Sequence, residues 1–196
     1  MLHIVDDEEV IQDALSWLAQ SRGIAATAYD GADAFLAALE ARPGFDEGGE
    51  CLLLDIRMPG TSGIALFETL DARGLTARLP VIFLTGHGDV PMAVGALKRG
   101  AFDFFEKPFN DNSLMDRVEQ ALAASRSAGV SAAIHDRLAA LSAREREVLD
   151  LILEGKMNKV IADCLGISMR TVEVHRAHIF DKMNVKTAVE LARLLK

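Results

Sequence analysis

"CLLLDIRMPGTSG", residues 51–63, is an apolar run that stops on an acid and then breaks into a turn. A strand with one wet face alternates apolar and polar side chains. A strand covered on both faces reads as continuous apolar sequence. CLLLDI, 51–56, therefore predicts an interior strand of a parallel sheet, with Asp55 carried to its carboxyl end. MPGTSG supplies the turn, and a helix is expected from Ile64 to Arg73.

The same alternation extends in both directions. HIV, 3–5, is a short strand that ends on four consecutive acids, Asp6 to Glu9. Glu8 to Arg22 predicts a helix with Val10, Ile11, Ala14, Leu15 and Leu18 on one stripe. Ile24 to Tyr29 is strand-like, and Ala32 to Arg42 helical. PVIFLT, 80–85, is another buried strand, and Pro91 suits the first turn of a helix reaching Arg99. AFDFFE, 101–106, predicts a fifth strand and Ser113 to Ser125 a fifth helix. Five β-α units imply an α/β fold, a doubly wound five-stranded parallel sheet of the flavodoxin-like kind.

The composition then shifts. AASRSAGVSAAIHDR, 123–137, is rich in Ala and Ser and is expected to link two domains, 1–122 and 138–196, either as a linker or as an extension of the preceding helix. The second domain predicts a small all-α, four-helix unit. Ser142 to Glu145 is a capping-box pattern for a helix reaching Glu154, and Gly155 ends it. Asn158 to Leu165 is a short helix stopped by Gly166, Ser168 caps a longer one to Met183, and Thr187 to Glu190 is a second capping-box pattern. The charge divides with the domains. Up to Arg137 there are 21 acidic against 11 basic residues; from Leu138 onward there are 8 against 10. An acidic front and a mildly basic back point to different partners.

No apolar run is long enough to span a bilayer, no signal-peptide pattern opens the chain, and a cytoplasmic protein without a membrane partner is expected. Cys51 and Cys164 are expected as buried thiols, neither a disulfide nor a metal pair.

Chemistry in such a sheet collects at the carboxyl ends of the strands. There the sequence places Asp6 and Asp7, Asp55, Thr85 and Lys107. Three close carboxylates repel one another, and a hard divalent cation, Mg²⁺ or Mn²⁺, would relieve the repulsion. The matching chemistry is phosphoryl transfer to a carboxylate. Asp55 would attack. Asp7, Asp55 and the backbone carbonyl of Arg57 would hold the ion, with Asp6 reaching it through water. Lys107 would pair with Asp55 and then with the phosphoryl group, and the Thr85 hydroxyl would donate to a phosphoryl oxygen.

IVDDEE, LLLDIRMPGTSG, FLTGHGD and FDFFEKPF together resemble the receiver domain of two-component response regulators. LSAREREVLDLILEGKMNKVIADCLGISMRTVEVHRAHIFDKM resembles the LuxR-type helix-turn-helix, and the pairing, with TGHGDVPMAV and TVEVHRA, resembles the FixJ-type branch. The resemblance implies a sensor histidine kinase as phosphoryl donor. It implies a switch in which Thr85 moves toward the phosphate and Phe104 turns inward. It implies a phosphorylation-dependent homodimer on the face around Val90, Pro91, Val94, Lys98 and Phe104. It also implies a cis Lys107–Pro108 bond and places Arg57 and His87, expected to be exposed, where receivers tune dephosphorylation.

A helix-turn-helix sets its second helix, here Ser168 to Met183, in the major groove. Val172, Ile179 and Met183 would face the core. Arg170, Glu173, Val174, Ala177 and His178 would reach base edges, with Thr171 beside them. Arg176 and Lys182, with Asn158 and Lys159 on the preceding helix, suit phosphates. Some relatives carry Lys where Glu173 and Ala177 stand, which moves the weight here onto Arg170 and Arg176. The last helix, with Val189, Leu191, Leu194 and Leu195, is apolar enough to predict a share in a dimer interface on DNA.

The reading is a transcription regulator, an activator by family analogy, which accepts a phosphoryl group on Asp55, dimerises, binds promoter DNA and meets RNA polymerase. It is not a turnover enzyme. A rival, an aspartate-nucleophile phosphatase of the haloacid dehalogenase type, would keep a second acid two residues after the nucleophile. Arg57 stands there. A second rival is a constitutive DNA-binding protein whose receiver has no switching role.

Overall fold

The computed structural model describes residues 1–86 and 90–195. The chain divides into two compact units, Met1–Gly129 and Val130–Lys196.

In the first unit the strands are β1 (Leu2–Val5), β2 (Ala26–Tyr29), β3 (Cys51–Asp55), β4 (Val81–Thr85) and β5 (Asp103–Glu106). They form one five-stranded sheet in the order β2-β1-β3-β4-β5, with every neighbouring pair parallel. The helices are α1 (Glu9–Ser21), α2 (Ala32–Ala41), α3 (Gly63–Ala72), α4 (Val90–Lys98) and α5 (Asp111–Ala139). The whole stretch 123–137, expected as a linker or an extension of the preceding helix, lies inside α5, which is far longer than the helix predicted from Ser113 to Ser125.

Strand periodicity explains the apolar runs. Leu52 and Leu54 of β3 join Val81 and Phe83 of β4 in one core, closed by Phe35 of α2, by Leu66, Phe67 and Leu70 of α3, and by Ala96 of α4. Cys51 and Leu53 join Ile82 and Leu84 in the core on the other face, closed by Leu15 and Ala19 of α1 and by Leu114, Met115, Val118 and Ala121 of α5. Each residue of β3 and β4 is buried because both faces are covered. Cys51 is among them, and burial pushes its thiol well above its ordinary pKa.

The second unit holds α6 (Ala143–Leu153), α7 (Asn158–Leu165), α8 (Met169–Met183) and α9 (Ala188–Leu194) around one apolar cluster. Ser142 closes a full capping box with Glu145. Gly166 ends α7 in the left-handed region (φ 63°), where a side chain would be strained. The second capping pattern forms only by half. Thr187 Oγ1 accepts from the Glu190 N–H at 3.1 Å, but the Glu190 carboxylate accepts from Lys186 N at 2.7 Å instead of reaching back to Thr187.

One expectation is corrected here and another is narrowed. Cys164 is exposed, not buried, because α7 turns Ile161 and Ala162 inward and leaves position 164 on the solvent side. The apolar residues of α9 are largely used within their own unit: Leu191 is buried, and Leu194 and Leu195 pack on the same cluster. Val189 alone among those four points outward.

The turn after β3 has a steric requirement that links the fold to its carboxyl edge. A Cβ on Gly63 would stand 2.0 Å from the Asp55 carbonyl oxygen and 3.1 Å from Leu54 Cγ. The Gly63 N–H also donates to the Ile56 carbonyl at 3.1 Å. Gly63→Ala must therefore push α3 away from the end of β3. The expected outcome is a loss of about 1–3 kcal/mol in urea unfolding, the usual range for overpacking, with chemical-shift changes centred on Asp55.

Candidate functional site

The carboxyl ends of β1, β3 and β5 converge through side chains. Lys107 follows β5, and its Nζ donates to Asp55 Oδ1 at 2.7 Å and to Asp6 Oδ2 at 2.9 Å. Asp6 is fully buried and Asp55 is 7% exposed. Backbone donors complete the acceptors: Arg57 N–H on Asp55 Oδ2 at 2.6 Å, and Glu8 N–H on Asp6 Oδ1 at 3.0 Å. Gln12 Nε2 donates to the Asp6 carbonyl at 2.7 Å and ties α1 to this edge. Lys107 is itself placed by its N–H, which donates to the Thr85 carbonyl at 2.7 Å, and is followed by a cis bond to Pro108, as the resemblance implied.

These contacts shift both partners. Burial raises the Asp55 carboxyl above its ordinary value, against the lowering pull of Lys107, and the charge of Asp6 raises it further. Burial would lower the Lys107 ammonium, but the two carboxylates outweigh it and hold it above its ordinary value.

The other expected residues stand nearby. Asp7 is exposed on the loop after Asp6. Thr85 is fully buried, and its hydroxyl donates to the Gly86 carbonyl at 2.9 Å. Phe104 on β5 is half-buried against the core. Pro91, Val94 and Lys98 of α4 are exposed together. Val90 begins α4, but its side chain and the whole of His87 lie outside the described residues. Arg57 is exposed, as expected.

The donor set fits a hard dication. Among the described residues no three acidic, His or Cys side chains converge into a ready-made cage. Mg²⁺ needs none, since it takes one or two carboxylates and keeps water and phosphate oxygens for the rest. Two carboxylates on one ammonium, with Asp7 exposed on the adjoining loop, leave a net negative edge, and hard oxygen donors are what it offers.

In the second unit Val172, Ile179 and Met183 are buried, and the other side of α8 presents Arg170, Glu173, Val174, Ala177 and His178 to solvent. Thr171 is partly covered, its hydroxyl 2.8 Å from that of Ser168, the residue that caps α8. A shallow depression between α7 and α8 is lined by Lys156, Asn158, Lys159, Met169 and Arg176, so the residues expected on phosphates gather together. The Arg176 guanidinium lies 5.3 Å from the Phe180 ring centroid. Lys182 is placed differently. Its Nζ donates to Glu145 Oε2 at 2.7 Å and to the Ala140 carbonyl at 3.2 Å, so it binds α8 to α6. That lysine, with the Ser142 N–H on the same oxygen at 2.7 Å, holds the Glu145 carboxyl down at about 2. Sequence reasoning found Glu145 as a cap and missed it as the anchor of α8. The signal was Lys182 itself, on the α8 flank next to core residue Met183.

Comparison with known proteins agrees with both halves. Residues 2–119 match the response regulator receiver domain, and residues 139–195 match the bacterial regulatory proteins of the luxR family. The chain belongs to the two-component response regulators. It is 51% identical to the C4-dicarboxylate transport transcriptional regulatory protein DctR of Rhodobacter capsulatus, over 98% of both chains. It is 44% identical to the transcriptional regulatory protein FixJ of Azorhizobium caulinodans, over 98% of this chain and 90% of that one. Among solved structures it resembles response regulator StyR (38% identity, TM-score 0.71, 99% of this chain and 96% of that one). It also resembles full-length FixJ from B. japonicum (41%, TM-score 0.58, 98% and 94%). This response regulator therefore couples a receiver, which implies a histidine kinase partner, to a domain that implies DNA binding, in phosphorylation-dependent control of transcription. The family is not one of classical enzymes. Among the described residues, no helix is long and apolar enough to cross a membrane.

Two outcomes test these environments. Lys107→Met removes the shared cation from Asp6 and Asp55, so the Asp55 carboxyl should titrate at a still higher pH than in the unaltered chain, as read by carboxyl-carbon NMR. Glu145 lies at about 2 in the folded state, against an ordinary value of 4.5. A depressed acid contributes stability above its unfolded pKa and loses it as the pH falls toward its folded one. The stability gap between the unaltered chain and Glu145→Gln in urea unfolding should therefore be full at neutral pH and close between pH 4.5 and about 2.

Proposed function

We propose that Asp55 is the phosphoacceptor of this response regulator and that its phosphorylation drives dimerisation and promoter binding. The observation that carries the reading is the shared Lys107 ammonium, bonded at once to Asp55 and Asp6 at the carboxyl edge of the sheet. Such an arrangement positions a nucleophilic carboxylate beside a cation that can follow charge onto a phosphoryl group. An Asp55 oxygen bonds to phosphorus as the P–N bond to the donor histidine of the kinase breaks. The imidazole leaves, and an acyl phosphate remains. Asp7, Asp55 and the Arg57 carbonyl would hold Mg²⁺ or Mn²⁺, with Asp6 one water away, and the ion would supply neutralising charge to the phosphoryl oxygens.

The Thr85 hydroxyl, which donates to the Gly86 carbonyl in this structure, turns to the new phosphoryl oxygen, and Phe104 moves into the space beside it. The exposed α4 face with Pro91, Val94 and Lys98, with Phe104 beside it, then pairs with a second copy. On DNA, α8 enters the major groove. Arg170 and His178 donate to base edges, Glu173 accepts from cytosine, Val174 packs on a thymine methyl beside Ala177, and Thr171 stands at the groove edge. Arg176, Asn158 and Lys159 take phosphates. Lys182 would reach a phosphate only by leaving Glu145 without its cation, so its part on DNA is the smallest of the set. Bound to its promoter in the cytoplasm, the dimer activates RNA polymerase.

The test uses intact-mass measurement with Mg²⁺ and acetyl phosphate. The unaltered chain should gain one phosphoryl group and Asp55→Asn none. Duplexes enriched from a random pool by the beryllofluoride-treated chain should bind it at least about tenfold tighter than the untreated chain, roughly 1.4 kcal/mol. Equal affinity of the treated chain and Asp55→Asn for those duplexes would overturn the switch and leave constitutive DNA binding. Turnover of p-nitrophenyl phosphate would overturn the phosphoacceptor reading in favour of a phosphatase.

A further inference from the structure

The opposite end of the sheet carries a second polar cluster that the phosphorylation chemistry does not use. Glu50, just before β3, is buried. His3 Nε2 lies 2.9 Å from its Oε2, Arg42 Nη1 donates to the same oxygen at 2.6 Å, and the Asp46 N–H donates to Oε1. Burial alone would raise this carboxyl, yet the three donors hold it down at about 2. A buried charge so fully met is a fixed point of structure.

α5 docks on that fixed point. Its inward stripe, Leu114, Met115, Val118 and Ala121, does not stop where the receiver match stops at residue 119; it continues through half-buried Leu122 to Ser125, which is fully buried. The Ser125 hydroxyl accepts from the Glu50 N–H at 2.9 Å and donates to the Arg78 carbonyl. So one side chain of α5 joins the segments that lead into β3 and β4. Two glycines permit the approach. A Cβ on Gly49, which sits at φ +88°, would stand 2.2 Å from the Leu122 carbonyl oxygen. A Cβ on Gly129 would stand 2.1 Å from Arg78 Nη1, so the guanidinium lies directly against the helix. From Val130 to Ala133 the residues of α5 are exposed, and the clamped stretch is 122–129.

We infer that this rim clamps residues 122–129 of α5 to the receiver sheet, and that the clamp is the point through which phosphorylation at Asp55 is conveyed toward the DNA-binding unit. The strands supply the connection. β3 runs from the clamp at Glu50 to Asp55, and β4 runs from the segment holding Arg78 to Thr85. A shift of either strand at its carboxyl end is therefore felt at Ser125, since strands packed on both faces move as units. The signalling half of the inference rests on the function proposed above, and the clamp itself does not.

The test compares the full chain with Ser125→Ala, which leaves the Glu50 N–H without its acceptor but adds no bulk. Hydrogen exchange across 122–129 should quicken at least tenfold, Asp55 phosphorylation by acetyl phosphate should stay unchanged by intact mass, and the beryllofluoride-dependent gain in affinity for the pool-selected duplexes should fall at least threefold. Exchange that does not change would overturn the clamp. Exchange that quickens while the gain in affinity persists would overturn its signalling role. If Ser125→Ala fails to take a phosphoryl group, Arg78→Ala is read by the same criteria. It keeps the backbone carbonyl that Ser125 bonds and removes only the guanidinium against Gly129. A parent chain that shows no beryllofluoride-dependent affinity would sink the proposed function, while its exchange pattern would still judge the clamp.

Discussion

The Lys107 ammonium between Asp6 and Asp55 is the contact on which the receiver's arrangement depends. Two carboxylates at hydrogen-bond range of one buried point repel each other, and neither is tolerated there alone. The lysine makes the pair tolerable, and it does so from a third strand. β1, β3 and β5 must therefore be in register for the charges to close, which makes the acidic edge a check on the topology as well as a site. The register is consistent with this: Val5 pairs with Leu54, Asp55 with Leu84, and Thr85 with Glu106, the residue before Lys107.

The helical unit solves its smaller problem with the same device. Four short helices bury little apolar area, so the orientation of α8 needs more than one cluster to define it. Glu145 accepts from the Ser142 backbone and from Lys182 through one oxygen, and His178 Nδ1 stands 3.7 Å from the other. The start of α6 and the carboxyl-terminal end of α8 are thus fastened together. The amino-terminal half of α8 keeps Arg170, Glu173 and Val174 exposed, as the proposed reading of base edges would require.

What was legible in the sequence follows from period and position. The buried strands read correctly because β3 and β4 are apolar on both faces, and Asp55 and Lys107 were readable because a strand end is a place and acids there have few other uses. The helix-turn-helix was legible from Gly166, Ser168 and the spacing of Val172, Ile179 and Met183. The reach of α5 was legible only as an alternative to a linker. Alanine favours a helix, but the interleaved serines and Gly129 weaken that preference, and the sequence does not show that Ser125 sits in a socket built from residues about fifty and seventy-five positions away. Cys164 misled for the opposite reason. Thiols are usually buried, but the phase of α7 was already set by Ile161 and Ala162. The exact use of Lys182 was also out of reach, since a lysine on a recognition helix suits a phosphate and a carboxylate equally until the fold brings one of them within 3 Å.

Two acids bracket β3 and show how environment separates structure from reactivity. Glu50 at the entry is almost completely buried, yet His3, Arg42 and the Asp46 N–H hold its pKa at about 2. Its charge is fully answered, and little is left for it to react with. Asp55 at the exit is buried nearly as well, and that burial, with the charge of Asp6, moves its pKa up, because the one ammonium that would lower it is shared with Asp6. Under the proposed function that under-compensated charge is the useful one: it would attract a dication, and it would be relieved when an oxygen became part of an acyl phosphate at the edge where Thr85 lies. A strand with a satisfied acid at one end and an under-compensated one at the other has a fixed end and a responsive end. The fixed end is where α5 is held.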